Sequence, residues 1–325
     1  MNAQLSKKIH RAAEFMANWG TVVVILLLIT VFSMLMPNIF PTRANFTTIL
    51  RSICIVSIMA MGKTFAIAVD GIDLSIGIAA TFSCTLVTVL FVWFAVPTPI
   101  AVLMVIIAAM SIGLCNSFII VKLKVPPMLA TLSMSFFFEG LYLTLAGGGA
   151  VSETMQMVGG RQAIGTISAA FRSIGKQPWI FIITIACVAF VHIFFEHTKA
   201  GRYIYIVGDN PTVARLSGIS VGLYKTVAYV MCSFFGCIAG LVICARTGGA
   251  QIGSGVGYLM PSVAATFIGV SLGGKKKANA LGTFFGAMLV GILENGLTMV
   301  GVPYYSLNIV KGAVLAIAVT MNYMR

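Results

Sequence analysis

The chain has 325 residues, of which 59% are hydrophobic and only 9% charged, with a mean hydropathy of +1.02. A soluble domain carries about a quarter charged residues, so a polar shell around one core is excluded and the chain reads as an integral membrane protein. The net charge of +13 does not indicate nucleic acid, because the basic residues sit mostly between apolar runs, where they orient helices and meet anionic headgroups.

Residues 1–18 carry Lys7, Lys8 and Arg11 and read as a cytoplasmic N-terminal tail. The apolar run from Trp19 to Met36 is too long for a signal-peptide core, and no small-x-small cleavage site follows it. It reads as a retained first span, opening a transmembrane domain over 19–325. Further apolar runs cover 46–69, 75–95, 98–121, 128–146, 178–196, 221–245, 259–273, 279–301 and 303–323, ten in all with the first. The second contains Arg51 and Lys63, which predicts a break or a partly interfacial position. The eighth is short and reads as a half-helix or re-entrant segment. The predicted fold class is all-α, a polytopic membrane helix bundle of about ten spans with both termini cytoplasmic.

With the N-terminus inside, ten spans put Lys122–Lys124, the 197–220 loop, Lys275–Lys277 and the C-terminus in the cytoplasm. The connections 147–177 and 246–258 then face out, although they too carry Arg161, Arg172, Lys176 and Arg246. Both are glycine-rich, and two readings stand: a landing surface for an external partner, or mobile linkers. Gly236–Gly240, Gly269–Gly273 and Gly282–Gly286 are spaced for close helix packing in lipid. The seven cysteines, Cys54, Cys84, Cys115, Cys187, Cys232, Cys237 and Cys244, lie in apolar segments with no CxxC pair, so they read as packing residues and no metal or redox site is expected.

The stretch 197–222 is the longest membrane-incompatible run in the second half of the chain. Asp209 or Asn210 is a suitable N-cap, Pro211 suits the first helical position, and Gly218 followed by Ile219 suits the left-handed residue that ends a helix. A two-turn helix does not hold in water alone, so this one is expected to pack against a separate energy-supplying protein.

Other motifs fail on chemistry. Residues 269–276 approach a phosphate loop, but Lys276 stands where a magnesium-reaching hydroxyl belongs and no strand precedes it. Gly218–Gly222 and Gly269–Gly273 match a nucleophile elbow, but His10, His192 and His197 all lie upstream, so the Ser-acid-His order cannot be met. The acids are Glu14, Asp70, Asp73, Glu139, Glu153, Glu196, Asp209 and Glu294. Glu139 and Glu294 fall inside spans, where a charge is costly and suspect as functional; Glu294 and its neighbour Asn295 could bond a solute or an adjacent helix. Asp70, Asp73 and Ser75 interrupt two apolar runs, at a membrane edge by span counting; Asp73 or Ser75 would cap the next helix, or the segment would line the path as broken backbone. No catalytic set emerges, and transport is the natural class.

Four ordered stretches carry a resemblance: AVDGIDLSIG at 68–77, NSFIIVKLKVPPMLATLSM at 116–134, GRYIYIVGDNPTVARLSGI at 201–219, and GTFFGAMLVGILENGLTMVGV at 282–302 followed by VKG at 310–312. On these the chain resembles the permease subunits of bacterial ABC sugar importers of the ribose/galactoside/xylose type, from about residue 38 to the end. The resemblance implies a multi-pass protein of the bacterial inner membrane, paired with a second permease copy, identical or related. It implies ATP and magnesium bound by a separate cytoplasmic ATPase, no cofactor on this chain, and a monosaccharide delivered by an extracytoplasmic binding protein. It assigns ATPase coupling to Gly208, Asp209, Asn210, Pro211, Ala214, Arg215, Gly218 and Ile219. Asp70, Asp73, Ser75, Asn116, Glu139, Glu294 and Asn295 are the substrate-path candidates. Two departures stand out: Leu259, Met260 and Pro261 replace an acidic Glu-Leu-Asp, and Lys275–Lys277 replace a neutral turn. Two alternatives remain, an ABC permease for a nucleoside, polyol or branched-chain amino acid, and an ion-coupled secondary transporter using Glu139 and Glu294.

Overall fold

A computed structural model describes residues 20–153, 155–156, 160, 162–270, 277–303 and 305–323. The N-terminal tail, Gly273 and the 271–276 part of the phosphate-loop-like motif lie outside them. In lipid every backbone polar group must be satisfied within the protein, which makes apolar runs helical. The helices are α1 (Gly20–Leu35), α2 (Arg43–Ala68), α3 (Ile76–Val92), α4 (Thr98–Ser117), α5 (Pro127–Leu145), α6 (Ala169–Ile174), α7 (Trp179–His197), α8 (Lys199–Asp209), α9 (Pro211–Leu216), α10 (Val221–Thr247), α11 (Leu259–Val270), α12 (Ala280–Met299) and α13 (Leu307–Tyr323). Six described helices are long and apolar enough to cross a membrane: α2, α5, α7, α10, α12, and α4 with the π-turn Phe118–Lys122 that extends it. The other four apolar runs form shorter helices at α1, α3, α11 and α13.

The bundle is organised around α10, which packs on α2, α3 and α4, while α12 packs on α2 and α11. Every residue of α3 except Leu86 is buried, as an all-round apolar helix must be when protein surrounds it. The glycine spacing works as expected on α10: a Cβ on Gly240 would strike the Ala80 carbonyl of α3. Gly286 sits equally close to the Ala265 carbonyl of α11.

Three expectations change. First, α2 is neither broken nor interfacial at Lys63: it is one 26-residue helix, opened by Thr42 Oγ1 accepting the Asn45 N–H at 3.2 Å, and Lys63 is buried inside it. Second, Ser75 stands at the N-cap of α3 without a side-chain cap bond; the chain turns back beside α2 and buries Asp73 and Ser75, while Asp70, at φ 55°, and Ile72 are exposed. Third, the described parts of 147–177 are not bare linker. Val151–Ser152 pairs antiparallel with Gly249–Ala250, so the two glycine-rich connections hold each other. Ile164 and Gly165 both donate to the Val92 carbonyl, at 3.1 and 2.9 Å, and Phe171 of α6 packs edge-on against Phe91. Glu153 accepts the Ile167 N–H at 2.6 Å and pairs with Arg172 at 2.5 Å.

After Ala250 the chain re-enters the bundle, where the Gly255 N–H donates to Thr81 Oγ1 of α3 at 2.9 Å. Only then does α11 begin, with 12 described residues up to Val270.

Gly240→Leu should therefore destabilise the protein, since overpacking a close helix contact costs about 1–3 kcal/mol. Gly140→Leu, where an added Cβ meets nothing within 4 Å, should be tolerated. Thermal unfolding in detergent checks the pair, and equal melting points would refute the packing account. The Glu153–Arg172 clasp is pH-dependent: Arg172 as hydrogen-bond donor, followed by the weaker opposing effect of burial, leaves the Glu153 carboxyl below its ordinary value of 4.5. With the folded value depressed, the clasp is complete above about pH 4.5 and lost as pH falls through the lower folded value. Hydrogen exchange at the Ile167 amide, corrected for intrinsic rate, should lose protection across that window; constant protection down to pH 2 would count against it.

Candidate functional site

The 197–222 stretch folds as two helices instead of the single capped one expected. Thr198 opens α8 by accepting the Gly201 N–H at 3.0 Å. This helix buries Gly201, Ile204 and Val207, an i, i+3 pattern on one face. Gly208 fits against the Ala68 carbonyl at the end of α2 so closely that any Cβ would collide with it. Tyr205 donates to the Ala278 carbonyl just before α12 at 2.6 Å and packs on Phe195 of α7. Burial, with the Glu196 carboxylate as the second cause, pushes its phenol well up, so it stays a neutral donor. Tyr203 meets Tyr224 edge-on at 5.4 Å, joining α8 to α10.

The cap question resolves in favour of Asn210, whose Oδ1 accepts the Thr212 and Val213 N–H groups at 3.0 and 3.1 Å. Asp209 instead ends α8 and pairs with Lys277 at 3.0 Å. The C-terminus is a Schellman turn: Gly218 has φ 75°, its N–H bonds the Arg215 carbonyl, and the Ile219 N–H bonds the Ala214 carbonyl at 2.9 Å. Ala214 is buried, whereas Val213 and Leu216 are 50% and 84% exposed. The short helix α9 thus turns its apolar side outward from a base anchored to four helices.

Directly behind this elbow lies a buried polar network. Asp73 Oδ1 accepts the Ser75 N–H at 2.7 Å and the Ser75 hydroxyl at 2.6 Å. Asn116 Nδ2 of α4 donates to Ser75 Oγ at 2.7 Å. Lys63 Nζ donates to the Asp73 main-chain carbonyl, with the Asp73 carboxylate as the neighbouring opposite charge. Thr131 of α5 accepts the Leu74 N–H at 3.1 Å. Asp73 Oδ2, Asn116 Oδ1 and the Tyr229 hydroxyl are buried without a partner among the described residues.

Three of the substrate-path candidates, Asp73, Ser75 and Asn116, are therefore brought together, and four are not. Asp70 is exposed at the rim. Glu139 is half-buried on α5 beside Tyr142. Glu294 pairs with Lys311 of α13 at 2.8 Å, and Asn295 is half-buried with an unpartnered Oδ1. The sequence held a signal for Lys63, since a lysine inside an apolar run demands a partner. No local pattern marks Thr131 or Lys311 as partners, because each lies on a different helix from the group it meets.

An all-helical bundle of membrane-length spans, with an anchored elbow outside them and a polar network behind it, defines a multi-pass membrane transport protein. Residues 45–319 match the family described as branched-chain amino acid transport system / permease component, and the chain belongs to that family of permease subunits. It is 33% identical over 307 residues to the ribose import permease protein RbsC of Escherichia coli K12, covering 93% of this chain and 92% of that protein. It is 30% identical over 322 residues to RbsC of Bacillus subtilis 168, covering 97% and 95%. It is 30% identical over 272 residues to the autoinducer 2 import system permease protein LsrD of Escherichia coli O9:H4, covering 82% and 80%. No solved structure matches. The protein is thus an ABC-type permease subunit of the inner membrane, a transporter component rather than an enzyme.

Lys63→Met should destabilise the protein by about 3–5 kcal/mol, because it leaves a buried carboxylate uncompensated. Lys63→Met with Asp73→Asn should recover most of that loss. A double-mutant cycle on unfolding in detergent checks this, and strictly additive effects would show that the two groups do not interact.

Proposed function

We propose that this chain forms the translocation path of an ATP-driven importer for a monosaccharide, a pentose or hexose. In this reading two permeases form the pore, a separate cytoplasmic ATPase supplies the energy with its own ATP and magnesium, and an extracytoplasmic binding protein delivers the sugar. The observation that carries it is α9: Val213 and Leu216 expose apolar surface on a capped helix outside the spans, which fits a docking face for a partner. Gly208, Asp209, Asn210, Pro211, Ala214, Arg215, Gly218 and Ile219 build and orient that face. ATPase closure would move the elbow as a lever on α2 and α12, and rigid-body shifts of packed helices suffice for alternating access. Ribose in the names of two relatives supports the sugar assignment. Asp73, Ser75 and Asn116, joined in one buried network, lead the path candidates, and Asp70, Glu139, Glu294 and Asn295 are the remaining ones.

A second reading, import of a non-sugar solute such as a branched-chain amino acid, rests on the family's description. Uptake competition among ribose, other monosaccharides and leucine separates the two. An ion-coupled carrier is disfavoured, because Lys311 already neutralises Glu294.

Three variants test the elbow in proteoliposomes holding permease, ATPase and binding protein. Gly218→Pro removes the left-handed turn, and Asn210→Ala with Pro211→Gly removes the cap, a loss of about 1 kcal/mol of local helix stability. Gly208→Leu pushes α8 off α2. Each should abolish ATP-driven uptake while the permease elutes as a folded species; normal uptake in all three would refute the assignment. Sugar binding by the isolated permease should be weak, and sub-micromolar affinity by calorimetry without the binding protein would contradict a path of low intrinsic specificity.

A further inference from the structure

A groove of about 850 Å³ opens between the end of α4, α5 and the start of α10, lined by Leu114, Phe118, Met134, Phe137 and Leu223. It adjoins a cleft of about 620 Å³ between α9 and the α4–α5 turn, sharing Val121, Ser220 and Gly222. Lys122 lines the groove, and Lys124, Arg215 and Lys225 line the cleft. Among the described residues none of these four cations takes part in an ion pair. Backbone features hold them there: α4 ends in the π-turn Phe118–Lys122, and Lys124 has φ 59° before the Pro126–Pro127 step that opens α5.

We propose that this composite is a binding site for an anionic phospholipid, its phosphate among Lys122, Lys124, Arg215 and Lys225 and an acyl chain in the groove between α4, α5 and α10. The dimensions fit one leaflet. Phe137 lies ten residues into α5 from Pro127, about 15 Å along the helix and half of a ~30 Å hydrocarbon core. Leu114, Phe118, Phe137 and Leu223 are each more than half exposed, so the groove is open to lipid. Clustered cations at the foot of an interhelical groove attract anionic headgroups at the membrane surface. Two other occupants fit less well. A second copy of this chain brings the same cations and so repels. An acidic segment of an ATPase could reach the cleft but not a groove that continues 15 Å into the membrane.

Purified full-length permease in neutral detergent is titrated with dioleoylphosphatidylglycerol or dioleoylphosphatidylcholine, and bound lipid is counted by native mass spectrometry. A triple variant, Lys122→Gln, Lys124→Gln and Lys225→Gln, is run beside Phe137→Ser. Retention of phosphatidylglycerol over phosphatidylcholine, reduced about tenfold or more by the triple variant and weakened for both lipids by Phe137→Ser, is the expected result. Equal retention of the two lipids by the wild-type chain would overturn the proposal, as would full phosphatidylglycerol retention in the triple variant. Unselective lipid binding, with the triple variant losing only ATPase association or only its own dimer, would reassign the cations to that protein contact. Melting points of both variants within a few degrees of wild type confirm that a folded protein is being compared.

Discussion

A lysine buried in a membrane bundle must find its partners inside the protein, and the placement of Lys63 constrains everything around it. An isolated ammonium in that setting is prohibitively costly. The chain meets the requirement by folding residues 69–75 back along α2, so that the Asp73 carbonyl accepts from Lys63 and the Asp73 carboxylate supplies the opposite charge. Asp73 is in turn fixed by Ser75, Ser75 by Asn116 of α4, and the Leu74 amide by Thr131 of α5. One charge thereby ties together three of the helices that surround the start of α3, namely α2, α4 and α5. Gly71 is required in the same loop because the Tyr229 hydroxyl occupies the space a Cβ would need.

The elbow reaches this network through a short path. Gly208 of α8 rests on the Ala68 carbonyl, and Lys63 is five residues back along the same helix, a rise of about 7.5 Å. No flexible segment intervenes: α2 is continuous between those two points. The elbow has a second hold on α12, through Tyr205 to Ala278 and Asp209 to Lys277. A displacement of α8 must therefore strain α2 and α12 together, which is the property a lever requires. Packed interfaces of this kind respond by switching between discrete arrangements rather than by bending.

Much of this was legible in the sequence, for reasons that mark its limits. Hydropathy located the ten apolar helices because lipid enforces helicity on any long apolar run. The caps of α9 were legible because Asn210, Pro211 and Gly218 act on backbone within three or four residues. Helix α8 was missed: its anchoring face depends on Gly201 and Gly208 fitting against α7 and α2, which no local pattern encodes. Of the path candidates, Asp73, Ser75 and Asn116 converged because they share the neighbourhood of Lys63, whereas Glu294 was claimed by Lys311, 17 residues further along the chain.

The clamping of α3 divides the bundle into a fixed part and a part free to shift. At one end α3 is held by the Asp73–Ser75–Asn116 network, and at the other by Ile164, Gly165 and Phe171 closing over Phe91 and Val92. Along its length it is sealed by the Gly240 contact with α10. The spans α2 and α10 share that core, with 61% and 72% of their apolar windows buried, whereas α4 and α5 have only 28% buried. Lipid or a second protein must cover the open faces of α4 and α5, and moving them breaks fewer internal contacts than moving α3. In a transport cycle driven from the elbow, the shift should therefore be taken up where α4 and α5 meet the start of α10. That seam holds the cationic cleft, so a lipid seated there would sit on the mobile joint and not on the fixed core.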